Sequence, residues 1–301
     1  MPSSTHASDL TDAQTDDRPA GGRSAWRDAV KRLQRSRGAR VGIVLLGLIV
    51  LAVLGAPLLS SKDPLAVVVE ERFQPPGSGH AFGTDILGRD MLTRMLYGGR
   101  LSLVTGVISV SFALILGVPM GVVSGYYGGL SDRLIMRLVD IMLTFPGILL
   151  ALVIVAVLGP SLFNAMIAVG ISASPTYARV VRATTLAAKT ETYIEAAQAL
   201  GCSNPRIIVR HILPNTLAPL IVLGTLGVAG AMISAAALSF LGLGAQPPQP
   251  EWGALLSEGR SYLRRAWWMT AFPGLAIMVT VLAINLLGDG LRDALDPRLR
   301  T

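Results

Sequence analysis

The chain has 301 residues, 51% of them hydrophobic and only 15% charged, with a formal net charge of +7. Soluble domains carry about 25% charged residues, so this composition excludes an ordinary soluble protein and also a disordered one. A single cysteine, Cys202, rules out an internal disulfide, and the three dispersed histidines (His6, His80, His211) argue against a zinc cluster.

Residues 1–22 are rich in Ser, Thr, Asp and Gly and read as a disordered start. Residues 23–40 are basic, with Trp26, Val30 and Leu33 at helical spacing. They read either as an amphipathic helix on the membrane surface or as a solvated tail that sets topology. Crossing a hydrocarbon core of about 30 Å takes roughly 20 apolar residues. Six runs meet or approach that length: 41–59, 101–124, 141–158, 162–178, 217–243 and 271–287. Lipid offers no partner for backbone groups, so each run is expected to be helical. Pro119, Pro146 and Gly147 inside them permit close contact or a kink. The first run is too long for a signal-peptide core and has Pro57 after its small residues Gly55 and Ala56, so it reads as an uncleaved anchor.

Eight basic residues precede the first run (Arg18, Arg23, Arg27, Lys31, Arg32, Arg35, Arg37, Arg40), which places the N-terminus in the cytoplasm. Six crossings return the C-terminus, with Arg292, Arg298 and Arg300, to the same side. Loops 125–137 and 179–215 are then cytoplasmic, and loops 60–100 and 244–270 external. The external loops still carry eight basic residues: Lys62, Arg72, Arg89, Arg94, Arg100, Arg260, Arg264 and Arg265. His80 is expected to be solvated there. Trp252, Trp267 and Trp268 are expected in an aromatic belt at the outer interface. The positive charge thus serves topology and partner docking, with no nucleic acid implied. The fold expected is an all-α polytopic membrane bundle in four parts: a cytoplasmic tail (1–40), a first helix with its external loop (41–96), a five-helix transmembrane domain (97–290) and a cytoplasmic C-terminal tail (291–301).

The segment 179–215 is too patterned for a linker. Ala187, Thr190, Ile194, Ala197 and Leu200 predict a helix over about 190–200 with a small-residue face at Ala196 and Ala197. Gly201 ends it in a turn that needs positive φ. Asn204 and Pro205 read as the N-cap and first residue of a second helix running to Leu213, closed by Pro214. The product is a helix–turn–helix standing off the membrane, or a pair of helices that merely covers the bundle.

The sequence from Glu195-Ala196-Ala197 through Gly201 to Ile212-Leu213-Pro214 resembles the EAA loop of ABC import permeases. The usual pattern has an aliphatic residue one position earlier, where His211 stands. Phe82-Gly83-Thr84-Asp85, Leu87-Gly88-Arg89-Asp90, Gly125-Tyr126-Tyr127-Gly128-Gly129, Phe145-Pro146-Gly147, Glu251-Trp252-Gly253 and the run from Gly288 to Arg298 resemble the C-type subunit of dipeptide and oligopeptide permeases. That resemblance covers about Arg40 to Arg298. It implies the type I importer permease fold, half of a pore completed by a second, B-type permease subunit. It implies a coupling loop over 190–214, with Tyr193, Glu195, Ala196, Ala197, Leu200, Gly201 and Pro214 contacting a cytoplasmic ATPase. It also implies two ABC ATPase subunits and an external substrate-binding protein. The substrate expected is a di- or oligopeptide, with nickel, glutathione or opines as alternatives for the same machinery. A non-transporting scaffold or channel is the reading outside that class.

No Gly-x-x-x-x-Gly-Lys-Ser/Thr string occurs, so the chain is not expected to cradle ATP or to be an enzyme by itself. ATP and Mg would sit on the partner ATPase subunits, and no cofactor or metal is expected on this chain. The span centres lack ionisable residues, which argues against proton coupling. Asp140 and Asp289 lie near inner helix ends, where they read as structural pairs to Arg137 or Arg292 or as gating charges.

Overall fold

In the computed structural model, residues 30–77 and 79–295 are described. The expectations for residues 1–29, including Trp26, and for Arg298 and Arg300 lie outside them. The main helices are α1 (Arg37–Leu54), α2 (Met91–Tyr127), α3 (Gly129–Thr144), α4 (Gly147–Leu158), α5 (Leu162–Lys189), α6 (Thr192–Ala199), α7 (Asn204–Phe240), α8 (Trp252–Gly259) and α9 (Trp268–Leu295). No strand occurs among the described residues.

The six expected spans all correspond to helices, with three corrections. The third is not one helix: α3 and α4 meet at 96°. Phe145 is extended (φ −87°, ψ 139°) because the ring of Pro146 disfavours the helical region for the residue before it. The second and fourth spans overrun their apolar cores, α2 starting at Met91 and α5 continuing to Lys189. The long helices α1, α2, α7 and α9 are apolar enough to cross a membrane, and the bent pair α3–α4 counts as a fifth. Helix α5 is not in that set by composition. Its Ser172, Ser174, Thr176 and Arg179 dilute the apolar run, and it is packed among α2, α4 and α7 instead of facing lipid.

Helix α2 is the mast of the bundle, and α5 lies along it. Between them, side chains of buried Ala113, Val122, Ala165, Ala168, Val169 and Val181 meet Ala151 and Val155 of α4 and Leu220 and Ala235 of α7. Lower down, the backbones come closer than side chains allow. A Cβ at Gly117 would lie 2.7 Å from Ser174 O, one at Gly121 2.5 Å from Ala178 O, and one at Gly125 2.8 Å from Thr185 Cβ. Glycines four residues apart fall on one helix stripe, and in lipid such close packing is the main source of helix association. Just beyond this seam, Asp132 of α3 accepts two bonds from Arg182 of α5 (2.6 and 2.7 Å).

The opposite end is closed by a polar cap. Gly83 and Gly88, at φ 73° and 76°, turn the chain so that Thr84 and Asp90 form a β-bridge. Fully buried Asp85 then accepts from Arg89 Nε and Arg94 Nη1, both at 2.6 Å. Glu258 of α8 accepts from Arg94 (2.7 and 3.1 Å) and from Arg89 (3.1 Å). A second tie joins α8 to α2: buried Glu251 caps α8 at Ala254 N–H and accepts from Ser102 Oγ at 2.9 Å.

Trp252 and Trp268 are not interfacial. Both are buried, their indole N–H groups donating to Met95 O and Thr84 O at 2.9 Å; only Trp267 is exposed. His80 is not solvated either. It is buried with Nδ1 2.8 Å from Asp90 and Nε2 3.1 Å from Glu71. Asp90 is the N-cap of α2, bonded by Thr93 N–H and Oγ1–H. Burial opposes its ionisation, but the Thr93 and His80 bonds and the Lys62 charge outweigh that and hold its carboxyl below the usual range.

Two outcomes follow from this packing. Gly121→Leu should destabilise the bundle by at least about 1–3 kcal/mol through overpacking. By contrast Gly47→Leu, at a position with open space around it, should be tolerated. Thermal unfolding of the detergent-solubilised protein compares them, and equal midpoints would refute the seam. Asp85→Asn leaves Arg94 buried without its nearest counter-charge and should cost about 3–5 kcal/mol. A wild-type midpoint for that variant would show the ion network to be dispensable.

Candidate functional site: the coupling loop

The loop between α5 and α7 is held to the bundle from three sides. Lys189, the last residue of α5, donates to Tyr126 O at 2.8 Å, and its ammonium lies 5.6 Å from the centre of the Tyr126 ring. The hydroxyl of Tyr126, at the foot of α2, donates to Asn204 Oδ1 of α7 at 2.9 Å. Under this bridge, Ile194 and Ala197 of α6 pack with Tyr126 and with Ile207 and Ile212 of α7, while Cys202 and Ile208 border the cluster. Ile194, Ile207 and Ile212 are fully buried, so α6 is fixed by a small apolar core of its own.

The spacing that buries Ile194 and Ala197 turns the other face of α6 outward. Tyr193 is 44% exposed and Leu200 85%; Glu195 and Ala196 are exposed as well. Tyr193 is nonetheless oriented, since its hydroxyl accepts from Asn215 Nδ2 at 2.7 Å, and Asn215 also donates to His211 O. Gly201 stands at φ 77° with no neighbour within 4 Å of a Cβ placed there. Its N–H bonds Gln198 O and the next N–H, of Cys202, reaches back to Ala197 O. This pair of bonds closes the last turn of α6 around a left-handed residue, a conformation that suits glycine for reasons of backbone strain alone.

The second helix of the expected helix–turn–helix is not a separate unit. Ser203 rather than Asn204 precedes its first turn, and Pro214 does not close it. The chain continues through Pro214 into the membrane helix, so the loop ends as the foot of α7. That foot contains a π turn over Ile208–Ile212, where Leu213 N–H bonds Ile208 O five residues back. Pro214 follows this turn directly, in the first turn of the regular α-helical stretch, where a missing N–H costs least. Ile212 reaches the core, and His211 stays at its edge with its ring 6.2 Å from that of Tyr193.

Asp140 and Asp289 do not join this cluster. Asp140 pairs with Arg179 at 2.8 Å, not with Arg137 or Arg292, and both partners are more than half exposed. Asp289 is exposed on α9, in no ion pair among the described residues. The Asp132–Arg182 pair and the Tyr126 anchor were not apparent in the sequence. The Gly-Tyr-Tyr-Gly-Gly string marked the end of α2 but gave no sign that one tyrosine faces the loop.

The family profile described as binding-protein-dependent transport system inner membrane component matches residues 117–301, which include the whole loop between α5 and α7. A second, the N-terminal TM domain of oligopeptide transport permease C, matches residues 24–76. The dipeptide transport system permease protein DppC of Alkalihalophilus pseudofirmus is 50% identical over 92% of this chain and 91% of its own length. The di/tripeptide transport system permease protein DppC of Pseudomonas aeruginosa is 46% identical over 88% and 89%. The glutathione transport system permease protein GsiD of Pectobacterium atrosepticum is 44% identical over 93% of each. Among solved structures, the inward-facing MetNI methionine ABC transporter superposes with a TM-score of 0.55 at 21% identity, covering 68% of this chain and 98% of that one, which establishes a shared fold. The chain therefore belongs to the binding-protein-dependent transport system inner membrane components, as a multi-pass permease subunit of the oligopeptide permease C type.

Proposed function

We propose that the chain is half of the translocation pore of an ATP-driven importer that brings di- or oligopeptides into the cytoplasm. The observation that carries this reading is the outward face of α6, held rigidly on a bundle of importer-permease fold. The α6 end faces the cytoplasm, where the basic N-terminal tail belongs. Tyr193, Glu195, Ala196 and Leu200 form the contact with one of two ABC ATPase subunits. Ala197 and Gly201 shape that contact from within, and Pro214 marks the point where it passes into the membrane helix. ATP and Mg bind on the ATPase subunits, a B-type permease subunit supplies the other half of the pore, and an external binding protein delivers the substrate.

Peptides carry charged termini and several backbone polar groups, which lipid cannot satisfy. Their path must be lined by protein and water, at the face shared with the second permease. ATP binding would draw the ATPase subunits together and carry the two α6 helices with them. Because α6 is joined to α2, α5 and α7 by packed and hydrogen-bonded contacts, its displacement would reach the membrane helices as a rigid movement between two access states. A peptide substrate is supported by the names of the relatives at 50% and 46% identity. The glutathione permease relative keeps that modified tripeptide as the alternative within the same class. Uptake of labelled di- and tripeptides in cells with and without this subunit is the direct test, and equal uptake would overturn the reading.

Two variants probe the coupling face. Gly201→Val forces a β-branched residue to positive φ without touching any neighbour, and should lower peptide uptake by tenfold or more while ATP hydrolysis continues. Gly201→Asn, which tolerates that conformation, should keep most of the uptake. Full-rate uptake by the valine variant at normal membrane levels would remove Gly201 from the mechanism. Leu200→Asp places a charge on the most exposed apolar contact and should reduce co-purification of the ATPase subunits at least fivefold. Undiminished co-purification would move the ATPase contact elsewhere.

A further inference from the structure

The eight basic residues of the external loops run against the charge bias that orients membrane proteins. The fold accounts for four of them. Arg89 and Arg94 are buried against Asp85 and Glu258, Lys62 reaches Asp90 at 3.3 Å, and Arg100 donates to the carbonyls of Val53 and Leu54. The other four, Arg72, Arg260, Arg264 and Arg265, are exposed and have no carboxylate partner among the described residues; Arg72 donates its Nε–H to Ile86 O at 2.7 Å and keeps its terminal amino groups outward.

Their placement is not accidental scatter. Arg72 and Arg265 come from loops far apart in the chain, yet their guanidinium carbons lie 5.8 and 4.4 Å from the centre of one ring, that of Phe73. Phe73 sits at φ 58°, an uncommon and strained conformation for a bulky residue. It is held there by its N–H bond to Asp85 O (3.2 Å) and by contact with the Tyr262 ring, 5.1 Å away. Arg260 lies 5.3 Å from the Phe240 ring in the same way. A ring engages the face of a guanidinium and leaves the N–H edges available to anions. Two like charges gathered on one strained platform repel each other unless an anion lies between or above them.

We propose that Arg72, Arg260, Arg264 and Arg265 form a docking surface for carboxylates on an acidic face of the external binding protein; this deepens, and rests on, the importer reading above. No acidic residue occurs between Gly259 and Trp267, and exposed Leu263 and Trp267 supply an apolar centre beside the arginines. The same end of the bundle exposes Asp63 and Glu70. A uniformly anionic lipid plane would meet these acids as well as the arginines, whereas a folded partner can set its own charges opposite each. Charges at the rim of such an interface act through encounter rate and salt dependence.

The test uses the complete transporter in phosphatidylcholine nanodiscs, with ATP hydrolysis measured against the concentration of its cognate binding protein at 50 and 300 mM NaCl. For the wild type, the half-saturating concentration should rise steeply with salt. Arg264→Glu with Arg265→Glu should raise it at least tenfold at low salt, flatten its salt dependence and leave the maximal rate within twofold. The milder Arg264→Gln with Arg265→Gln should fall between the two, which separates docking from a folding defect. If the wild type is stimulated but the reversed variant saturates identically, the arginine surface is overturned and the importer reading stands. A difference that arises only when phosphatidylglycerol is added assigns the arginines to lipid and overturns the proposal. A wild type that no binding protein stimulates overturns the importer reading, and this proposal with it.

Discussion

Helices α2 and α5 approach along Gly117, Gly121 and Gly125 more closely than any side chain would permit, and the geometry of the α6 end depends on that contact. Within lipid there is no hydrophobic gain from bringing two apolar helices together, so the association must come from dense packing and satisfied polar groups. The seam supplies the first and the Arg182–Asp132 pair, just beyond its last glycine, supplies the second. Tyr126 is the residue next to Gly125, and Lys189 lies one turn past Thr185. A shift in the seam would therefore move both anchors of α6 together. The loop is rigid because its supports are the ends of the two most tightly joined helices.

The opposite end obeys a different constraint. It has to turn a chain sharply between α1 and α2 and again between α7 and α9 while remaining in contact with water. Buried charge does that work: Asp85, Arg89, Arg94 and Glu258 tie the turn before α2 to α8, and Glu251 with Ser102 repeats the tie about two helix turns further along α2. Buried ion pairs contribute little net stability compared with apolar packing, but they tolerate only one arrangement of their partners. An apolar seam at one end and a directional polar network at the other leave the helices between them with few soft points.

Much of this was legible in the sequence. The apolar runs located the helices, because lipid allows few other solutions, and the spacing of Ile194 and Ala197 gave the buried face of α6, although Leu200, in the same stripe by spacing, is exposed. Gly201 declared its turn because the chemistry is local: one residue type, one backbone region. What the sequence concealed was nonlocal. Trp252 and Trp268 looked interfacial because an amphipathic ring has the same composition whether its N–H meets water or Met95 O and Thr84 O. His80 looked solvated because neither Glu71 nor Asp90 is at a spacing that reveals a contact. Helix α5 reads as a short span because Ser172, Ser174, Thr176 and Arg179 interrupt its apolar run, yet the helix continues to Lys189 packed among α2, α4 and α7. Pro214 reads as an end because a proline usually signals one, yet the helix runs on past it, as the membrane helices do at Pro119, Pro175, Pro219 and Pro273.

The π turn over Ile208–Ile212 and the Phe145–Pro146 break both interrupt regular helical bonding near the α6 end. One lies in the foot of α7, the other where α3 turns through 96° into α4. A rigid α6 bonded to rigid helices can alter the shape of the membrane region only where backbone dihedrals can change without breaking a continuous ladder of bonds. Both places fit that condition, and both adjoin elements tied to the helices that hold α6: α7 through Asn204 to Tyr126, and α3 through Asp132 to Arg182 of α5. The loop is thus fixed to the helices but not fused to all of them. In the proposed importer this is what converts a displacement of α6 into relative movement of α4 and α7, instead of a tilt of the whole bundle.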